Sequence, residues 1–215
     1  MCFSATASFI AGGALGAAGG LTVAQAKTKR ELPFASIPLL FGIQQAVEGV
    51  VWVSFGSSVL NMAATYVYSL FSHVLWPVFV PLSILLIETD PTRKKILRLF
   101  FVLGLGVGSY LLYFIIIDPV TANVINDSIA YNSPHLYPLV TISLYLIATC
   151  GGCLVSSHRI INIFGAILLV SFAIATWFFT ETFFSVWCFL AAALSILIVW
   201  YFKDKSNAER RVETE

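Results

Sequence analysis

Long apolar runs alternate with short polar breaks along the whole chain. A bilayer core of roughly 30 Å needs about 20 apolar residues of helix. The breaks predict seven spans of that kind, over residues 4–26, 33–55, 62–87, 95–117, 135–156, 160–179 and 182–202. The predicted fold is all-α: a polytopic membrane protein with seven transmembrane helices. It reads as a single seven-helix domain over residues 1–202 followed by a charged tail over 203–215. Glycines four apart, Gly12, Gly16 and Gly20 in the first span and Gly104 and Gly108 in the fourth, predict close helix packing. Pro77, four residues after His73, predicts a kink in the third span at that histidine.

Composition narrows the class. Of 215 residues, 59% are hydrophobic and only 11% charged, where a soluble domain has about a quarter charged. A soluble enzyme, a disordered chain and a nucleic-acid binder are excluded. The four cysteines are too few and scattered for a disulfide scaffold. The first span ends in Ala24-Gln25-Ala26, like a cleavage site, but no basic residue precedes it and Lys27, Lys29 and Arg30 follow. It therefore reads as a retained helix, not a signal peptide.

The placement of charge predicts orientation. All twelve basic residues fall in the first, third and fifth loops, the start of the fourth span and the tail; the second, fourth and sixth loops have none. Lys and Arg mark the cytoplasmic side, so the N-terminus is expected outside and the C-terminus, with the tail, in the cytoplasm. Lys95 stands at the very start of the fourth span and no lysine lies further inside any span, which excludes a retinal Schiff base. Trp52, Trp177 and Trp187 are expected in an outer interfacial belt and Trp200 in an inner one, with Trp76 deep in the third span.

Ionisable groups inside a span are expensive and mark function. Glu48 is the one acidic residue well inside a span, flanked one turn away by Gln44 and Gln45. His73 is expected near mid-membrane, and His135, after Ser133-Pro134, in the first turn of the fifth helix. Cys2 lies at the mouth of the first helix and Cys188 in the outer half of the seventh. These residues come from five helices and share the outer half. Carboxylate, imidazole and thiolate form a ligand set for zinc. Glu48, His73 and His135, with Cys2 as a further ligand, are the expected Zn2+ site, and Glu48 and Gln45 the expected catalytic residues. The bland alternatives are a neutral Glu48 bonded to a glutamine or the backbone, histidines that join helices, and cysteines in the core. His158 reads as a solvated loop residue. Cys150-Gly151-Gly152-Cys153 has the spacing of a redox pair but is explained by small-residue packing. The loop at 118–133 could lid the outer pocket; it carries Asp127 and the sequon Asn126-Asp127-Ser128.

The opening Met1-Cys2-Phe3-Ser4-Ala5-Thr6-Ala7-Ser8-Phe9 and the stretch Leu39 to Gly49 resemble a family of uncharacterised bacterial integral membrane proteins. The resemblance implies a bacterial inner-membrane location and adds weight to Cys2, but brings no activity. The site logic is also similar to that of the seven-helix alkaline ceramidase and adiponectin-receptor superfamily, which holds an intramembrane zinc. Their last-helix histidine pair has no counterpart here, so no residue is carried over.

The function expected is that of a metal-dependent hydrolase or hydratase, acting on a small-molecule or lipid substrate from the extracytoplasmic side. Asp127 is the one candidate second carboxylate. The alternatives are a non-catalytic metal sensor or carrier, a haem protein with His73 and His135 as axial ligands, and a receptor-like bundle without metal. The bilayer is the expected partner and nucleic acid is not; the oligomeric state stays open.

Overall fold

The computed structural model describes residues 4–133 and 136–213. Apolar composition makes helices here because a backbone in lipid must satisfy its own hydrogen bonds. Helix α1 spans Ala5–Gln25, with Ser4 capping its first turn through the Ala7 amide. One helical turn, Leu32–Ala35, leads into α2, Ile37–Val53. Helix α3 runs over Ser58–Ile87 and α4 over Pro91–Ile117, capped by the Asp90 side chain at the Arg93 amide. A two-stranded antiparallel hairpin follows, β1 Thr121–Ile125 and β2 Ser128–Asn132. Helix α5 spans Pro138–Val155, α6 Arg159–Phe178, α7 Phe183–Leu194 and α8 Ile196–Glu213.

Among the described residues, six helical stretches are long and apolar enough to cross a membrane, α7 and the start of α8 counting as one over Phe183–Ser206; α2 is apolar but shorter, at 17 residues. The chain is thus an integral membrane protein by length and composition. The limits of these six stretches agree with those expected from the hydrophobic pattern to within a few residues, while α2 begins four residues later than expected. The largest differences are at α3 and α4, each of which begins four residues earlier, and at α8, which stays helical through the charged segment as far as Glu213. The expected N-cap at Ser133-Pro134 is not used. Helix α5 starts at Pro138, after Tyr137 in a left-handed conformation at φ 53°. Pro138, four residues further along the sequence than Pro134, supplies the rigid first turn instead. His135 and Cys2 lie outside the described residues.

The kink expected at His73 takes the form of a π-helical turn over Leu70–Leu75. Pro77 has no N–H for the His73 carbonyl, and a widened turn accommodates the missing bond. Pro81 repeats the effect four residues on and leaves the Pro77 carbonyl without its helical donor. Gly104 of α4 packs against that carbonyl so closely that a Cβ would collide with its oxygen. Gly108 lies one turn away against Val74 and Val78.

The small-residue face of α1 differs from the one expected. A Cβ on Gly12 would meet Ala46 and Gly42 of α2, and one on Gly19 would overlap Leu39, while Gly20 faces open space. Gly12 to Gly19 is a seven-residue step, two helical turns on one face, so the contact follows that stripe away from Gly20.

The expected loop at 118–133 contains this hairpin. Asn126 and Asp127 both take positive φ, at 47° and 54°, between Ile125 and Ser128, which pair with each other. This is the backbone of a tight two-residue hairpin turn. Ala122, Ile129 and Tyr131 turn inward and pack with Val51, Ala64, Tyr68 and Cys188. The hairpin therefore covers the ends of α2, α3 and α7 at one end of the bundle. The opposite end carries the basic residues.

Candidate functional site

Glu48, Gln45, Gln44 and His73 are all completely buried. The anchor of the arrangement is a hydrogen bond from the Trp76 indole N–H on α3 to Gln44 Oε1 on α2, at 2.7 Å. The Trp76 ring also stacks on Phe41 at a centroid distance of 3.9 Å. Toward the hairpin end, Glu48 lies four residues beyond Gln44, a rise of about 6 Å, and His73 three residues from Trp76, about 4.5 Å. The two ionisable side chains thus come to one level. Both meet the first turn of α7: Ser185 donates its hydroxyl to Glu48 Oε1 at 2.6 Å, and the Phe184 ring packs on the His73 ring at 4.3 Å.

Neighbours fix both groups. Gln45 Nε2 donates to Glu48 Oε2 at 3.3 Å. Ser72 Oγ lies 2.7 Å from His73 Nδ1, and the Tyr145 hydroxyl of α5 donates to the Ser72 carbonyl at 2.6 Å. Cys188, one turn beyond Ser185 on α7, borders Gln44, Tyr68 and Glu48. Tyr68 in turn stacks on Tyr131 of the hairpin, with centroids 4.1 Å apart and planes 6° from parallel. A cavity of about 260 Å³ borders the supporting residues of this cluster, lined among others by Tyr131, Tyr145, Glu181 and Phe184.

The hairpin half of the bundle also holds buried polar atoms with no hydrogen bond among the described residues. They are Ser8 Oγ, Gln45 Oε1, Trp52 Nε1, Thr65 Oγ1, Ser69 Oγ and Ser128 Oγ. Such atoms are rare in folded proteins and mark places where water or a ligand completes the bonding. Gln45 is the most telling, because flipping its amide would merely exchange which atom is left unmatched.

Of the residues expected to form the site, Gln45 and Glu48 are hydrogen-bonded to each other, and Glu48 and His73 each touch the first turn of α7, on Ser185 and Phe184. His135 and Cys2 lie outside the described residues. Among the described residues no group of three His, Cys, Asp or Glu side chains could hold a metal ion. Asp127 sits in the hairpin turn, two residues before the buried Ile129. Sequence reasoning missed Ser185, the one hydroxyl in Phe183-Phe184-Ser185-Val186-Trp187, which shares a face with Cys188 three residues on. It also missed Ser72 and Tyr145 as the support of His73.

Other aromatic and thiol groups sort out by burial. Trp177 and Trp200 are exposed, as expected of an interfacial belt, and Trp76 is buried. Trp187 is buried rather than interfacial, packed on Phe183 and Tyr145. Cys150 and Cys153 are free, buried thiols, and Gly165 of α6 presses on Cys153. His158 is half-buried, its ring edge-on to Tyr201 at 5.3 Å.

At the basic end, a second polar network ties the loops. Glu88 accepts from the amides of Thr89, Asp90 and Ser157 and from the Ser157 hydroxyl. Burial pushes its carboxyl up, but the bonds from Ser157, Asp90 and Thr89 outweigh that and hold it at about 2. Arg93 donates to the carbonyls of Val155 and Ser156.

A bundle of apolar helices with a buried polar cluster under a hairpin defines a polytopic helical membrane protein. The chain belongs to the Family of unknown function (DUF6629), which it matches over residues 1–213. No curated protein and no solved structure matches it.

Proposed function

We propose that this chain is a seven-span protein of a bacterial inner membrane, with α2 as the additional crossing and the hairpin end outside. The proposed site is a divalent-cation centre in the outer half, zinc by donor chemistry, built on Glu48 and His73. The observation that carries the reading is the convergence of this carboxylate and this imidazole on Phe184 and Ser185 of α7. Each is oriented by a neighbour, Gln45 and Ser185 for Glu48 and Ser72 for His73. Metal ligands are oriented by outer-shell hydrogen bonds in this way. No Lys or Arg lies in this half of the chain's spans to neutralise Glu48, and a buried carboxylate needs a cation, a proton or donors.

The described residues supply two donors, and a catalytic zinc site takes three. His135 and Cys2 are the proposed remaining ligands. Zinc bound there supplies Lewis acidity and an activated water, which suits a hydrolase or hydratase. The side cavity brings a small molecule or the polar part of a lipid against Phe184 and Tyr145, beside His73. Gln45 holds Glu48 and offers its remaining amide oxygen to substrate or water.

A second reading is favoured by the bond that Ser185 of α7 donates to Glu48 of α2. In it, Glu48 latches α2 to α7 and no metal binds. Elemental analysis of protein purified without chelator separates the two. The metal reading expects close to one zinc per chain, lost in Glu48→Gln and His73→Ala; the latch reading expects none. An absorption scan tests haem as the alternative occupant.

A further inference from the structure

The basic end of the bundle carries a cleft that the reading above does not use. Its main cavity, about 320 Å³, is lined by Arg30, Lys94, Lys205, Glu31, Glu88, His158 and Tyr201 among others. A neighbouring cavity shares His158, Tyr201 and Lys205 and adds Arg159 and Asp204. The cleft lies where loop 26–31, the α3–α4 turn, the α5–α6 turn and α8 meet, at the ends of the apolar helices.

Its charges are unevenly committed. Lys205 pairs with Glu31 at 2.8 Å, and Glu31 also accepts from the Thr28 hydroxyl and the Lys27 amide. Burial raises the Glu31 carboxyl, but these partners more than reverse it and keep it below its ordinary value. Glu88 spends both oxygens on the loop amides and serine hydroxyls described above. Arg30 and Lys94 have no ion pair among the described residues. Three cations face two carboxylates in the main cavity, so one positive charge stays uncompensated. It resides on flexible side chains over a floor that is stapled rigid.

We infer that this cleft is a binding site for the phosphodiester of an anionic membrane lipid, with Arg30 and Lys94 as the phosphate ligands. The phosphodiester monoanion matches the single excess charge. A zwitterionic headgroup would leave it unmatched. Bilayer phosphates lie at this depth, immediately beyond the apolar spans, and basic pockets between transmembrane helices hold acidic headgroups. The Thr28 hydroxyl and the Tyr201 ring line the same space and suit the glycerol part of such a headgroup.

The test is a lipid titration of the full chain in neutral detergent, read by native mass spectrometry. The probes are phosphatidylglycerol, phosphatidylethanolamine and inorganic phosphate. The protein should retain phosphatidylglycerol in preference to phosphatidylethanolamine, and millimolar phosphate should leave that retention unchanged. Arg30→Gln with Lys94→Gln should weaken it about thirtyfold, at the usual strength of two basic groups near an anionic surface. Neither side chain makes a hydrogen bond among the described residues, so folding is spared. Lys29→Gln with Arg98→Gln removes equal charge outside the cleft and should change retention little. Equal loss in that control, or undiminished retention in the first variant, would overturn the site. Equal retention of phosphatidylethanolamine would overturn the charge argument. Displacement by phosphate would overturn the lipid as its ligand.

Discussion

Alanine at Gly42 and alanine at Gly16 should have opposite effects, although both glycines lie where α1 meets α2. A Cβ on Gly42 would sit 2.7 Å from the Gly16 nitrogen, 3.0 Å from the Gly12 carbonyl oxygen and 3.1 Å from the Gly16 Cα. Ordinary contact begins at 3.4 Å, so the helices must part by the difference of 3.4 and 2.7, or 0.7 Å. The obstructing atoms are backbone, and no rotamer change relieves them. Overpacking of this kind costs about 1–3 kcal/mol, offset by up to about 1 kcal/mol of helix propensity gained on replacing glycine. The net loss for Gly42→Ala is about 0–2 kcal/mol. A Cβ on Gly16 meets nothing within 4 Å, so Gly16→Ala keeps the contact and gains up to about 1 kcal/mol. The two variants should differ by about 2 kcal/mol, a factor of about thirty in the unfolding equilibrium. Reversible unfolding in mixed micelles, followed by tryptophan fluorescence, measures it. Equal stabilities, or the reverse order, would refute the packing argument.

Trp76→Phe keeps the stack on Phe41 but leaves Gln44 Oε1 buried without its indole donor. It should lower stability by about 1–3 kcal/mol, and Gln44→Leu in the same chain should restore part of that loss. Tyr131→Leu removes the ring stacked on Tyr68 and should cost about 1 kcal/mol. The loosened hairpin should also speed maleimide labelling of Cys188, which is 4% exposed; an unchanged labelling rate would mean the hairpin does not cover that thiol. The stability that Glu88 adds, with its carboxyl lowered from 4.5 to about 2, is complete above pH 4.5 and lost as pH falls toward 2. By linkage it amounts to about 3 kcal/mol. Glu88→Gln should therefore flatten the stability profile between those two values, and a native profile already flat there would contradict the loop network.

Much of the architecture is legible from hydropathy because lipid leaves the backbone so few options. The span limits of α1, α5 and α6 come from apolar length and polar ends alone. The deformation at His73 follows from one proline, since a missing N–H is a local fact. Features that depend on how helices rotate against each other do not show in the same way. Gly16 and Gly20 carry the spacing of a packing stripe, yet a Cβ on either meets open space, and the tight positions include Gly19 and Gly42 on two different helices. Trp187 looks interfacial by position but is turned inward by the first turn of α7. Ser185 carries no signal on its own among five otherwise apolar residues, and only the rotation of α7 aims it at Glu48. The hairpin was readable in part. Asn126-Asp127 between Thr121–Ile125 and Ser128–Asn132 is a turn pair between short β-prone runs. Weak strand signals of that kind are easily overlooked in a chain dominated by helix.

Glu48 remains the point on which the functional account turns, because it is the one charged residue of the apolar helix α2 and is completely buried. Zinc content per chain, measured by mass spectrometry on native protein and on Glu48→Gln purified side by side, tests that account most directly. The account predicts close to one zinc in the native protein and almost none in Glu48→Gln. Native protein without zinc, or Glu48→Gln that keeps it, would contradict it.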